Sequence, residues 1–295
     1  MIVDVHTHTP RHRVAPPPST EERSGVNAMW RPDQPRSTAL TWDDHLMALQ
    51  PVDRAIVFNI AADPRRPFQD DGGLIYPTPQ VNDDTAAFVR AAPDKLIGFL
   101  TVHPHHPAAL EEIERGTQEL GLRGIKLGPN YQNFDPLGED AFRVFKRAEE
   151  LGLPILFHQG TSPVRFADLD FAHPRHIDRV ATAFPNLRMI LAHIGHPWQV
   201  DCIVVIRKHP NVFADISAQF YRPWSAYNAF RLATEWDVLH KLLFGSDFPI
   251  ATPHETMDGL QHVNDLTEGT NLPRVPKDEL EKIVQRDSLT LLGLE

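Results

Sequence analysis

The sequence predicts an α/β chain folded as a (β/α)8 TIM barrel. Three observations predict it: eight short apolar runs spaced by about 25 to 40 residues, helical stretches between them, and polar, ligand-type residues where several runs end. In order the runs are IVDVH (2–6), RAIVFNI (54–60), LIGFLTV (96–102), RGIKLG (123–128), LPILFH (153–158), RMILAH (188–193), NVFADIS (211–217) and KLLFGSD (241–247). Most are nearly continuous in apolar residues, as strands covered on both faces require. The stretches TWDDHLMALQ, VNDDTAAFVRAA, PAALEEIERGTQELG, EDAFRVFKRAEELG, PRHIDRVATAF and QVDCIVVIRKH read as the intervening helices. Several open on Asp, Thr or Pro and close on Gly or a basic residue, the usual helix stop and start signals.

Two segments distort the rhythm. Residues 10–40, rich in Pro, Arg and Ser, follow the first strand, where a barrel keeps an active-site loop; they read as a lid or a subunit contact. Residues 61–80 have the Pro, Gly and Asp content of an irregular loop. Residues 276–295 read as a terminal helix packing on the outside of the barrel. No repeat or linker interrupts the chain, so 1–295 is expected to be one domain.

Composition narrows the function. The 295 residues are 41% hydrophobic and 23% charged, with no apolar run near the ~20 residues that span a bilayer, so no membrane partner is expected. MIVDVHTH lacks a basic n-region and a small-residue cleavage site, which points to a buried strand and a cytoplasmic location. Cys202 is the single cysteine, so no internal disulfide forms and any metal must rest on His and carboxylate ligands. A net charge of −10 argues against nucleic acid as a partner.

The chemistry concentrates at strand ends. His6 and His8 are two apart on the first strand and so share a face, and neutral imidazole is a common ligand for divalent ions. His158, His193 and Asp247 end the fifth, sixth and eighth runs. Burying such groups after apolar residues is costly without a partner, and in a barrel these ends converge on one side. A hydrogen-bonded polar cluster is the blander account of the same residues.

At these residues the chain resembles the amidohydrolase superfamily, in the amidohydrolase-related branch that includes aminocarboxymuconate semialdehyde decarboxylase. The resemblance covers nearly the whole chain through VDVHTH, GIKLGP, LPILFHQG, FPNLRMILAHIGHPW, NVFADIS and LLFGSDFP. It implies one divalent ion, zinc first, with manganese, cobalt or iron accepted by the same donors, bound by His6, His8, His158, Asp247 and a water. Asp247 would also take the water proton, and His193 would stand beside the ion as acid/base or water-orienting group, unless it is itself a ligand or a second-layer support. Some branches carboxylate the lysine of the fourth strand to bridge two metals, which makes Lys126 ambiguous; a single metal is the reading here, with a bare Lys126 either pairing with a substrate carboxylate or simply hydrogen-bonding at the strand end. Relatives in this branch are commonly homodimers or larger.

Tyr131, Arg165, Arg222 and Trp224 follow later strands and, with Lys126, are the candidate substrate-binding residues, suited to a small carboxylate. Asn130, Phe134 and Tyr221 belong to the same rim, whereas His196 and Trp198 either border the pocket or merely open a helix. The expected activity is hydrolysis of an amide, lactone or related bond by metal-activated water. The alternative is non-oxidative decarboxylation, since carboxy-lyases of the branch use the same ligands. A catalytically idle binding barrel is the outlying possibility, and five converging ligand-type residues weigh against it.

Overall fold

The computed structural model describes residues 1–10, 13–14, 31, 33–34, 40–64, 75–76 and 80–295. The strands are β1 (Val3–His8), β2 (Arg54–Phe58), β3 (Ile60–Ala61), β4 (Ile75–Tyr76), β5 (Leu96–Gly98), β6 (Leu100–Thr101), β7 (Ile125–Leu127), β8 (Ile155–Phe157), β9 (Met189–Leu191), β10 (Val212–Asp215) and β11 (Leu242–Leu243). Each of the eight apolar runs contains a strand, and neighbours pair in parallel.

The run LIGFLTV holds two strands. β5 pairs with β2 in a three-stranded sheet, while β6 begins a six-stranded sheet that runs to β11. Phe99 between them bridges the sheets: its N–H donates to Val57 O at 2.9 Å, and that of Leu100 donates to Gly124 O at 2.8 Å. On the other side, Val5 N–H donates to Phe244 O (2.9 Å), Asp247 N–H to His6 O (2.8 Å) and His8 N–H to Phe248 O (2.8 Å). The ring of strands therefore closes, as a (β/α)8 barrel does.

The expected helices occur at Trp42–Ala48, Gln80–Ala91, Ala109–Gln118, Glu139–Leu151, Arg175–Ala183 and Gln199–Lys208. Three more, the short Pro129–Gln132 and the longer Pro223–Glu235 and Pro253–Gln261, were not expected; Pro at the first turn of each suits a helix start, where no N–H is needed. The terminal segment corrects the sequence reading. It forms two helices, Lys277–Val284 and Ser288–Leu292, with Asp287 capping the second through Thr290 N–H (3.3 Å). Its last turn is not on the outside: Leu289, Leu292 and Leu294 share an apolar cluster with Ile56, Phe58, Phe99, Leu156, Ile190 and Leu243. Those strand residues alternate with the ones that pack under the surrounding helices, so the cluster fills the barrel interior.

The candidate lid, 10–40, lies outside the described residues except at 10, 13–14, 31, 33–34 and 40. Within 61–80, β4 adds to β3 as a parallel two-stranded ribbon. Among the described residues no helix is long and apolar enough to cross a membrane.

Candidate metal centre

β1 brings His6 and His8 to the same point, as their spacing requires: each places Nε2 3.2 Å from Asp247 Oδ1. Asp247 reaches them from a backbone with φ of 67°, and His193 stands at φ 59°, both in the left-handed region that costs a side-chain-bearing residue energy. Each strained turn is tied down. Asp4 accepts from His6 N–H and Ser246 N–H at 3.0 Å and from Ser246 Oγ at 2.6 Å, which fixes the loop carrying Asp247. Gln219 Nε2 donates to His193 O at 2.7 Å and holds the other turn. Gly245 allows the close approach of these strands, because a Cβ there would press on His6 Cβ at 3.1 Å and Asp215 Cβ at 3.3 Å.

Asp215 organises the imidazoles. Its Oδ2 accepts from His6 Nδ1 at 2.8 Å; its Oδ1 accepts from the N–H groups of His193 and Ser217, both at 3.0 Å, and from Ser217 Oγ. Because the Ser217 proton is committed to Asp215, Ser217 Oγ accepts from His193 Nδ1 at 2.7 Å. Both rings are thereby fixed with Nε2 free, the arrangement in which a carboxylate orients a metal-ligating histidine. The donor atoms of His6, His193 and Asp247 all lie within 4.8 Å of one another, close to the span of ligands held about 2.0–2.2 Å from one ion. His158 Nε2 and His8 Nδ1 are buried without a hydrogen-bond partner, and the His158 ring lies 5.1 Å from that of His193.

Burial shapes the charges. It pushes His8 and His193 down to about 4 and His158 well below its ordinary value, so all three stay neutral imidazoles at physiological pH. Burial alone would raise Asp247, but the hydrogen bond and charge of His6 hold it well below the carboxylate range. Burial and Lys126 oppose protonation of His6, yet Asp215 and Asp247 on either side raise it; a cation at Nε2 would displace that proton. Orphaned buried nitrogens, neutral imidazoles and an ionised carboxylate together fit a divalent cation.

A cavity of about 190 Å³ opens on this cluster, and His8, Tyr131, His158, His193, Arg222 and Asp247 are in its wall. Four predicted site residues are not. His6 lies buried behind its partners. Lys126 is fully buried, 4.5 Å from the centre of the Phe58 ring, with Nζ unpartnered and pushed down by burial to about 7, and it is not part of the cavity wall. Arg165 is exposed beyond β8. Trp224 is 59% exposed on the helix Pro223–Glu235, turned towards Tyr227. Of the other rim residues, Tyr221 and His196 line the cavity, whereas Asn130 and Phe134 are buried and Trp198 packs on His173. Sequence reasoning missed Asp215, Ser217, Gln219 and Asp4. Asp215 carried a usable signal, since it ends the apolar VFAD strand just as Asp247 follows LLFGS.

Fold and site together define a barrel with a buried cluster of histidines and an aspartate, of a kind that could hold a cation, at the ends of its strands. The amidohydrolase family profile (Amidohydro_2) matches residues 3–294, and the chain belongs to this family of enzymes. Solved structures agree on the fold. An uncharacterised TIM-barrel protein from Bordetella bronchiseptica has TM-score 0.70 and 20% identity, covering 99% of this chain and 98% of that one. A dihydroxybenzoic acid decarboxylase from Polaromonas, with bound manganese and 2-nitroresorcinol, has TM-score 0.64 and 16% identity, with coverage of 99% and 97%. A probable 2-pyrone-4,6-dicarboxylic acid hydrolase from Acinetobacter baumannii, with citric acid bound, has TM-score 0.62 and 16% identity, with coverage of 99% and 99%.

Proposed function

We propose that the chain is a metal-dependent hydrolase of a small carboxylated substrate, with one divalent ion held by His6, His8, His158 and Asp247 and with His193 beside it. The observation that carries this reading is the fixed orientation of the rings through Asp215 and Ser217, which leaves acceptor atoms facing Asp247. When bound, the ion supplies Lewis acidity, polarising a substrate oxygen and acidifying water.

The residues then divide the work. Asp247, ionised, takes a proton from water on the cavity side of the cluster. Neutral His193 orients that water or accepts the proton and returns it to the leaving group. Such an acceptor-rich set suits removing a proton from water better than protonating a carbanion. Because the donor atom of His193 lies as near to those of His6 and Asp247 as a ligand would, its separate role is the part of this assignment most open to test.

Decarboxylation is the second reading, favoured by the shared fold with a manganese-bound decarboxylase. The experiment is to load the purified chain with zinc or manganese, count metal per chain, and assay lactones, amides and aromatic acids for both hydrolysis and CO2 release. About one equivalent with hydrolysis supports the proposal. CO2 release moves it to the carboxy-lyase, and activity without metal overturns it. In the same assays His158→Ala should lose metal and turnover together, whereas His193→Asn should keep the metal and lose turnover; if both lose metal alike, His193 is a ligand.

A further inference from the structure

Trp224, which the cavity does not use, stands at one end of an exposed apolar strip on the outside of the barrel. The helices Gln199–Lys208 and Pro223–Glu235 lie side by side and point the same way. Where both begin, Gln199 Nε2 donates to Ser225 Oγ at 3.0 Å; where both end, the Arg207 guanidinium is 5.4 Å from the centre of the Trp236 ring. Cys202, Ile203, Val205 and Ile206 are the buried face of the first helix. Its outward face carries Val200 and Val204, 49% and 41% exposed, and beside them Trp224 and Trp236 are 59% and 37% exposed. The helix Glu139–Leu151 shows the ordinary solvated pattern instead, with Arg143, Lys146 and Glu150 outward.

The charges on this strip are placed symmetrically. Asp201 and Arg207 lie three residues before and three residues after Val204, and both are exposed. Neither has an ion-pair partner among the described residues, whereas the adjacent Lys208 is held by Asp178 at 2.7 Å. An acid near the start and a base near the end suit any helix dipole, but two valines open to water between them do not. The strip is complementary to itself. A second helix of the same sequence, laid antiparallel across Val204, brings each Asp201 to the partner's Arg207 and joins the two pairs of valines into one apolar centre; a parallel crossing would oppose like charges. That reciprocity is what a two-fold axis requires, and a foreign partner gives no reason for it.

We propose that this strip is a docking surface for a second copy of the chain, with the helices Gln199–Lys208 crossing antiparallel about a two-fold axis at Val204. The same axis sets Pro223–Glu235 against its own copy, so that Trp224 of each chain meets the partner's Trp236. Valines and tryptophans then form the dry centre, and the Asp201–Arg207 pairs close its edges. The surface begins at Gln199, whose Nε2 also lies 3.0 Å from Nδ1 of His196 in the cavity wall, so pairing braces that wall from outside. The inference is independent of which reaction the cavity performs.

The test is sedimentation of the full chain at micromolar concentration, with circular dichroism to verify that each variant is folded. The natural chain should sediment as a dimer. Val204→Glu should weaken self-association by about tenfold or more, because it buries a charge at the axis, while Met47→Glu, on an exposed position of another helix, should leave the dimer intact. Asp201→Arg and Arg207→Asp should each be monomeric alone, since each sets like charges opposite one another. Mixed together the two should form a dimer, because each chain then supplies the charge the other lacks, and the double exchange in one chain should dimerise by itself. A monomeric natural chain, or a Val204→Glu chain that still dimerises as tightly, would overturn the surface. Single variants that lose the dimer but do not recover it on mixing would overturn the antiparallel crossing.

Discussion

The two ends of the barrel are built on opposite principles. At the base, Leu289, Leu292 and Leu294 complete an apolar interior, and the partly buried Lys241 ammonium is satisfied by the carbonyls of His209 and Pro210. At the mouth, buried nitrogens of His6, His8, His158 and Lys126 have no hydrogen-bond partner, and His193, Ala218 and Asp247 stand at positive φ. Buried unpaired polar groups and left-handed side-chain-bearing residues each cost on the order of 1–3 kcal/mol. The concentration of unpartnered ring nitrogens at the mouth marks it as the place where a ligand completes the structure.

That contrast can be broken from either side. The largest effect should come from Asp247→Asn or His6→Ala at the mouth: turnover down on the order of 10³-fold or more, with metal lost in elemental analysis. Leu292→Ala at the base should do the reverse, costing about 2–5 kcal/mol in urea unfolding while metal per chain stays constant. If Leu292→Ala empties the metal site instead, the two ends are not independent.

Lys126→Met, measured at pH 8 where the buried amine is largely uncharged, should stabilise the metal-free chain by about 1–3 kcal/mol. A destabilisation as large as that of Leu292→Ala would mean that Lys126 is structural. His45 supplies a pH test. Its ring is buried between Phe88 and Phe248 with Nε2 unpartnered, and burial holds it down at about 3. The unfolded chain takes that proton first, near 6.5, so stability should fall as pH drops from about 6.5 to 3, by up to about 1.4 kcal/mol per pH unit. His45→Leu should flatten that slope; an unchanged acid limb would assign it to the other buried histidines. The smallest effect is expected for Arg31→Ala, which removes a guanidinium stacked 4.5 Å from the centre of the cavity-lining Tyr221 ring: affinity for a small carboxylate such as benzoate down about 2- to 5-fold, with metal content unchanged.

The sequence by itself determined the eight strand positions, because strands buried on both faces must be apolar runs, and it singled out His6, His8, His158, His193 and Asp247 as a group that the strand ends bring together, because polar residues closing such runs are too costly to be incidental. It did not determine which of its rim residues face the cavity. Arg222 does, while Arg165 and Trp224 turn to solvent, since side-chain direction after a strand depends on loop and helix geometry that no periodicity encodes. The split of LIGFLTV at Phe99 and the placing of the terminal leucines inside the barrel were likewise decided by what each segment packs against. So was the central part of Asp215: a carboxylate that joins His6 to His193 across more than 180 residues becomes visible only once the strands close into a ring, because hydrogen bonds are fixed by distance in space and not by spacing along the chain.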